Sequence, residues 1–378
     1  MRYDVAVVGL GGMGSAILAH CARRGASAVG LEQFERGHEL GSSSGKSRMI
    51  RKAYFEDPAY VTLLLRAYEL WRELERETGM ELLRITGLLM VGKEQAEIIA
   101  GARRTAREHG LPLESLTPRE IRARYSTLRL QDEEVGVFEA DGGVLDPERA
   151  VEAHLRLAAA AGAQMHFGVA MESWAADSGG FTMRMADGAS LTSRCLVLSL
   201  GPWIKNELEL LGIPIRVERN VQAWFQPYTD AYSSPRFPAF LLDRAELPAP
   251  LYGFPDFGEG VKAAFHSLGD ATDAAHVERE VNSQRDVAPI AAAMEDWMPK
   301  ATGSLQAAKV CLYTLTPDRH FVVDRHPHHS RLVLCGGFSG HGFKFVPVIG
   351  EIAADLALEE GSQHQIDFLS LRRFALPS

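Results

Sequence analysis

Apolar and polar positions along the chain follow two alternating periods. Residues 3–8 (YDVAVV) form a short, β-branched run closed by Gly9, the pattern of a buried parallel strand. Residues 13–25 predict a helix ending near Gly25, and residues 27–32 (SAVGLE) predict a second strand, so the chain opens on a β-α-β unit. Asp57-Pro58 supplies an N-cap followed by the residue best suited to a first helical position; Val61, Leu64, Leu65, Tyr68 and Trp71 then keep helical spacing. Thr117-Pro118 with Glu120 predicts a capping box, and Asp146-Pro147 starts a third helix that stops at Gly162. Residues 84–92 and 134–139 predict strands. So does 195–200, followed by Gly201-Pro202-Trp203 and a helix. Short alternating runs at 220–226, 238–242, 251–254 and 261–266 predict an antiparallel sheet. A last buried strand at 331–336 leads through a glycine-rich turn to a helix over 347–359.

The α/β segments are interrupted twice by β-rich stretches. The expected fold class is α/β: a Rossmann-like nucleotide domain, discontinuous over 1–80, 145–219 and 320–378, with a second, antiparallel-sheet domain over 81–144 and 220–319. Composition narrows the partners. Forty basic against 49 acidic residues give a formal charge of −9, with no basic excess to neutralise phosphates, so nucleic acid is not an expected partner. The cysteines at 21, 195, 311 and 335 form no C-x-x-C pair, which speaks against a zinc site or a disulfide framework. No apolar run reaches the roughly 18 residues of a membrane span. Met1-Arg2 and the apolar stretch to Ala22 have the outline of a secretory leader. Asp4 and the glycines at 9, 11, 12 and 14 fit a phosphate-binding turn better, and a cytoplasmic protein is expected. The ending Ala375-Leu376-Pro377-Ser378 is not a peroxisomal S-K-L signal.

Gly9-Leu10-Gly11-Gly12-Met13-Gly14 is a G-x-G-x-x-G turn between strand and helix, and Glu32 closes the second strand. The first glycine permits the turn, the second lets a pyrophosphate approach the backbone, and the third lets the helix pack on the strand. Free N–H groups at the helix start attract phosphate, and Glu32 suits ribose hydroxyls. This pattern does not choose between NAD and FAD. Two further loops are candidates for the same ligand: the hydroxyl-rich run from Ser42 to Arg48, and Gly336 to Lys344, with four glycines within Gly336–Gly342. The run Arg325-His326-Pro327-His328-His329 lacks partnered carboxylates, and no metal is expected there.

Several segments in order along nearly the whole chain carry a resemblance. They are the Gly9–Gly14 turn with Glu32, SRMIRKAYFED (47–57), TGLLMVG (86–92), YGFP (252–255), VKAAFH (261–266), CLYTLTPDRHFVVD (311–324) and GFSGHGFKF (337–345). The chain resembles the monomeric sarcosine oxidase family, within the D-amino-acid-oxidase-like FAD proteins, nearest the sarcosine/L-pipecolate oxidase branch. Other branches carry a His-rich version of the loop that here holds Ser43 and Ser44. The resemblance implies oxidation of a secondary or N-methyl amino acid: hydride transfer to FAD, imine hydrolysis and reduction of dioxygen to hydrogen peroxide. It also implies a thioether between Cys311 of the C-x-Y-T motif and the flavin 8α carbon.

The same resemblance implies that Arg51 and Lys344 bind the substrate carboxylate, a task for which a guanidinium fork and a compact ammonium are chemically suited. It places Tyr252 and Tyr313 along the substrate, His266 near substrate and flavin, and Lys262 at the point of oxygen activation. Period-two alternation lets Lys262 and His266 share a strand face. Arg48 is an expected catalytic and cofactor residue. Cofactor contacts are further expected at Ser43, Ser44, Ser47, Val169, Gly340, His341, Gly342 and Lys344. The expected partners are a small amino acid and dioxygen, with no membrane, and the chain is expected to be a monomer. An oxidase of glycated (Amadori) or specialised imino acids, an NAD-dependent dehydrogenase and a non-catalytic redox sensor remain the alternatives.

Overall fold

The computed structural model describes residues 2–374; the C-terminal tetrapeptide 375–378 and Met1 lie outside the described residues. The strands Arg2–Val8 and Ala28–Glu32 and the helix Gly12–Arg23 form the expected β-α-β unit. Parallel pairing runs from Gln164–Phe167 through Ala28–Glu32, Arg2–Val8 and Ser190–Leu198 to His329–Gly336. Side-chain alternation divides this sheet between two layers. Val5, Val7, Val197 and Val333 face the helices Gly12–Arg23, Pro147–Ala160 and Val346–Leu358. Ala6, Val8, Leu196 and Leu198 face Ile204 and Leu208 on the opposite side. The strands Met171–Asp177 and Gly180–Met185 extend this sheet by an antiparallel meander.

Helix boundaries follow the chemistry of the caps. Asp57 accepts the Ala59 amide at 2.7 Å and opens a single 3₁₀ turn before the helix Val61–Thr78. Thr117 and Glu120 form both halves of the capping box, and Asp146 accepts the Arg149 amide at 3.0 Å.

A second, nine-stranded sheet includes Leu88–Lys93, Arg216–Phe225, Leu251–Phe254, Val261–Phe265 and Leu305–Leu315. Its pairings are antiparallel except one, between Ala239–Asp243 and Leu88–Lys93, where the two strands come from distant segments and run parallel. Val261, Ala263 and Phe265 enter the core beneath the helix Ala288–Trp297. Lys262 and Ala264 therefore point to the other face, as does His266 just past the strand end.

One expected strand is two. The run 84–92 breaks into Leu83–Ile85 and Leu88–Lys93. Gly87 between them has φ +73°, and a Cβ there would stand 2.4 Å from the Phe138 ring. The turn sends Leu83–Ile85 into a small third sheet with Arg48–Ile50 and Gly143–Leu145, while the following residues join the large one. The strand at 195–200 also differs: it begins at Ser190 and ends at Leu198.

Candidate active site

Gly9, Glu32, Ser199 and Gly337 lie at or just past the carboxyl ends of the four central parallel strands, and all four border one cavity of about 460 Å³. Ligands of doubly wound sheets bind at such an end, and the volume is on the scale of small-molecule and cofactor sites. At the first turn a Cβ on Gly14 would fall 1.7 Å from the Gly9 carbonyl oxygen, so helix and strand touch where only glycine fits. Gly14 thus acts by packing and does not border the cavity, whereas Gly11, Gly12 and Met13 do. The Gly12 amide donates to the Ser43 hydroxyl at 3.0 Å, which brings the serine loop against the helix start. Glu32 accepts the amides of Leu10 (2.8 Å) and Phe34 (3.1 Å). Burial would raise its carboxyl, but His38 and these amides outweigh that and hold it below its ordinary value, so it is an anion with free lone pairs. Val169 donates its amide to the Glu32 carbonyl oxygen at 2.9 Å and borders the same end.

At the middle of the cavity Arg48 donates to the carbonyl oxygens of Ser47 (2.9 Å) and Ser42 (3.0 Å) and approaches Cys311 Sγ at 3.6 Å. Cys311 and Tyr313 both border the cavity from the strand Leu305–Leu315. Ser44 and Ser47 do not border it: the Ser44 hydroxyl turns to the Glu39 carbonyl oxygen at 3.5 Å, and Ser47 faces the far side of the loop. Lys262 is also absent from its walls. It lies beneath the loop, 2% exposed, donating to the carbonyl oxygens of Gly45 (2.6 Å) and Ser47 (3.0 Å), and opens onto a second cavity. Phe254 and Glu148 border both cavities.

The far end is built around buried charge. Arg51 is 4% exposed and reaches Glu56 through Nη2 at 2.5 and 2.6 Å. Its Nε is buried without any hydrogen-bond partner. Lys344, 3% exposed, donates to the His341 carbonyl oxygen at 2.7 Å. The His266 ring lies 5.7 Å from that of Tyr313 and 6.3 Å from that of Tyr252, centroid to centroid, and all three border the cavity. His341 borders the cavity and commits both ring nitrogens to the protein, one to Tyr54 and one to the Arg319 carbonyl oxygen at 3.1 Å. The backbone glycines on either side of it, Gly340 and Gly342, border the cavity as expected. Residues that sequence patterns did not mark are Tyr54, Phe55, Glu56, Gln222 and Leu241. The family-like stretch YFED contained three of them, but nothing in their spacing announced their burial.

Burial pushes the His266 imidazole down to about 4 and that of His341 to about 3. Both are neutral at working pH. Unfolded, they bind protons near 6.5, so between about pH 6.5 and 4 the unfolded chain holds more protons, and stability rises with pH. The urea midpoint is expected to fall steadily as pH drops through this window. His266→Gln should flatten the fall, and an unchanged slope in that variant would mean the histidine is not buried in its neutral form.

Residues 4–356 match the family described as FAD dependent oxidoreductase. A monomeric sarcosine oxidase of Streptomyces avermitilis is 43% identical over 99% of this chain and 98% of its own length. The chain belongs to the monomeric sarcosine oxidase family. An N-methyl-L-tryptophan oxidase of Salmonella arizonae is 34% identical over 99% of this chain and all of that protein. Among solved structures, NikD, an amino acid oxidase of nikkomycin biosynthesis, superposes with a TM-score of 0.87 at 26% identity over 98% of this chain and 97% of that one. As a member of this family the chain is an FAD-dependent oxidase of the class acting on CH–NH groups. The expected D-amino-acid-oxidase-like architecture is the one observed. Its residues suit FAD: a glycine cradle a Cβ would fill, an anionic Glu32 at the second strand end, and a thiol farther along the same cavity.

Proposed function

We propose that this oxidase acts on a small secondary or N-methyl amino acid of the sarcosine, L-pipecolate or L-proline type. The buried, unpartnered Nε of Arg51 carries the reading. A guanidinium withdrawn from water with a free donor is short of one acceptor, and a substrate carboxylate supplies it. Arg51 and Lys344 hold the carboxylate; Tyr252, Tyr313 and the neutral His266 surround the amine. Because the three rings carry no charge, the pocket favours the neutral amine, and no strong base is needed. FAD, when bound, takes up the hydride lost from the substrate and delivers the electrons to dioxygen, giving hydrogen peroxide. The imine left behind hydrolyses in water.

Cys311 is the attachment point for the flavin 8α carbon. Its support is the place of the thiol on the cavity wall, with the Arg48 guanidinium 3.6 Å from Sγ. Cys311→Ser should give protein whose flavin is freed by acid precipitation, whereas the wild-type protein should keep its yellow colour in the precipitate. Complete release from wild type would end the covalent assignment. Residues 1–80, 145–219 and 320–378 form the cofactor half of this reading and 81–144 and 220–319 the substrate half. In support, the strands of the eight-stranded sheet all fall in the first set. The reading takes the chain as a monomer, the state named in its sarcosine oxidase relatives, and as cytoplasmic. Peroxide release on adding sarcosine, pipecolate or proline tests the activity; silence with all three would overturn the substrate class.

A further inference from the structure

Two basic side chains, Arg51 and Lys344, are buried beside each other, and one side chain touches both. Burial and the charge of Arg51 push the Lys344 ammonium well below its ordinary value, while Glu56 raises it. The ring of Tyr54 lies with its centroid 4.9 Å from the Arg51 guanidinium carbon and 5.0 Å from Lys344 Nζ. Tyr54 is fully buried and is fixed at both ends. Its carbonyl oxygen accepts the Thr105 hydroxyl at 2.8 Å, and its own hydroxyl meets His341 Nδ1. The proton inventory sets the direction of that last bond. A carbonyl only accepts, so His341 Nε2 must carry the proton shared with the Arg319 carbonyl oxygen. Burial keeps His341 neutral, with its value pushed down to about 3. Nδ1 is then bare, and Tyr54 donates to it. A phenol that gives away its proton in a hydrogen bond has a more electron-rich ring, the better partner for a cation.

We infer that Tyr54 is a positioning residue for carboxylate recognition: its ring holds the two buried cations in one place, and His341 fixes the ring through its hydroxyl. This rests on the assignment of Arg51 and Lys344 to the substrate carboxylate. It also gives His341 a task, which the glycine-rich loop pattern did not. Glu56 pairs with Arg51 and also feels the charge of Lys344. Among the described residues the Tyr54 ring lies against both cations, and it does so without occupying the donors that a carboxylate needs.

The test uses the FAD-loaded enzyme and two neutral-versus-anionic probes of one shape, 2-furoate and 2-furamide, titrated by their perturbation of flavin absorbance. Tyr54→Leu is expected to weaken 2-furoate by about tenfold, the scale of a desolvated cation–ring contact, and 2-furamide by less than about twofold. Tyr54→Phe keeps the ring and should weaken 2-furoate by no more than about threefold. His341→Leu should weaken 2-furoate selectively and His341→Gln, which restores an acceptor, should recover most of the loss. If Tyr54→Leu does not retain flavin, the His341 pair decides the question. Equal losses for both probes, or none for either, overturn the inference. Wild-type 2-furoate binding in Arg51→Met and Lys344→Met removes the carboxylate assignment itself, and this inference with it. Loss in those two with no loss in the Tyr54 and His341 variants removes this inference alone.

Discussion

Lys262→Met is expected to slow reoxidation of the reduced enzyme by dioxygen about 10²–10³-fold while leaving anaerobic reduction by substrate nearly unchanged. Negative charge develops on dioxygen as the first electron arrives, in a place largely closed to water. A fixed ammonium stabilises that charge without reorganisation. The surroundings of Lys262 fit a held group rather than a surface one: two backbone carbonyls accept its protons, and Trp224 and Phe254 present their rings at 4.9 and 5.2 Å. Burial and the neighbouring charge of Arg48 push its ammonium well below the ordinary lysine range, and negative charge arriving beside it favours the protonated form. In the proposed reading the substrate binds in the main cavity, which Lys262 does not border, and hydride transfer generates no superoxide. Stopped-flow traces of the two half-reactions settle the matter. Equal losses in both, or none with oxygen, would make Lys262 a support for the loop and nothing more.

Arg51→Met and Lys344→Met are each expected to weaken substrate and small carboxylate inhibitors by about 1.5–3 kcal/mol, the cost of a lost hydrogen bond to a charged group. The loss should appear in apparent affinity more than in turnover, because ground and transition states share the carboxylate contact. Arg51→Met has a second consequence. Burial would raise Glu56, but the charges of Arg51 and, to a lesser degree, of His341 and Lys344, with the Arg51 hydrogen bond, hold it at about 2; without Arg51 it becomes a buried carboxylate that has lost its salt-bridge partner. That variant should lose stability as well as affinity, whereas Lys344→Met should mainly lose affinity. Inhibitor titration and thermal unfolding measured together separate the two; unchanged affinity in both variants would take these cations out of the site.

The first cofactor turn was legible because Gly9 and Gly14 answer steric demands that no other residue meets, and the distance to Glu32 follows from one helix and one strand. The shared face of Lys262 and His266 was legible from strand alternation. The strand Met171–Asp177 was not, since its side chains are mostly exposed and show no apolar period. The break at Gly87 was hidden within an apolar run, and only the approach of Phe138, 51 positions later, makes the turn obligatory. Tyr54 and Glu56 stood only inside the family-like stretch 47–57, and their burial was not legible because it is decided by the segments that pack over them. Spacing places a residue on a face; it does not say what closes over that face.

The strand Arg2–Val8 finds its neighbour in Ser190–Leu198, and that strand in turn is flanked by His329–Gly336. The phosphate turn made by the first residues therefore waits for nearly the whole chain before its cavity has walls, and Lys344 arrives only in the last tenth. Synthesis from the N-terminus leaves the glycine turn with an unpaired strand edge until the late segments emerge, and contacts of such long range form slowly. FAD thus has no enclosed site to enter during translation, and its capture belongs to the completed polypeptide. A nonsense mutation anywhere before residue 344 is expected to yield no partly working oxidase, since each fragment lacks part of the cavity wall and at least one of the two cations that line it.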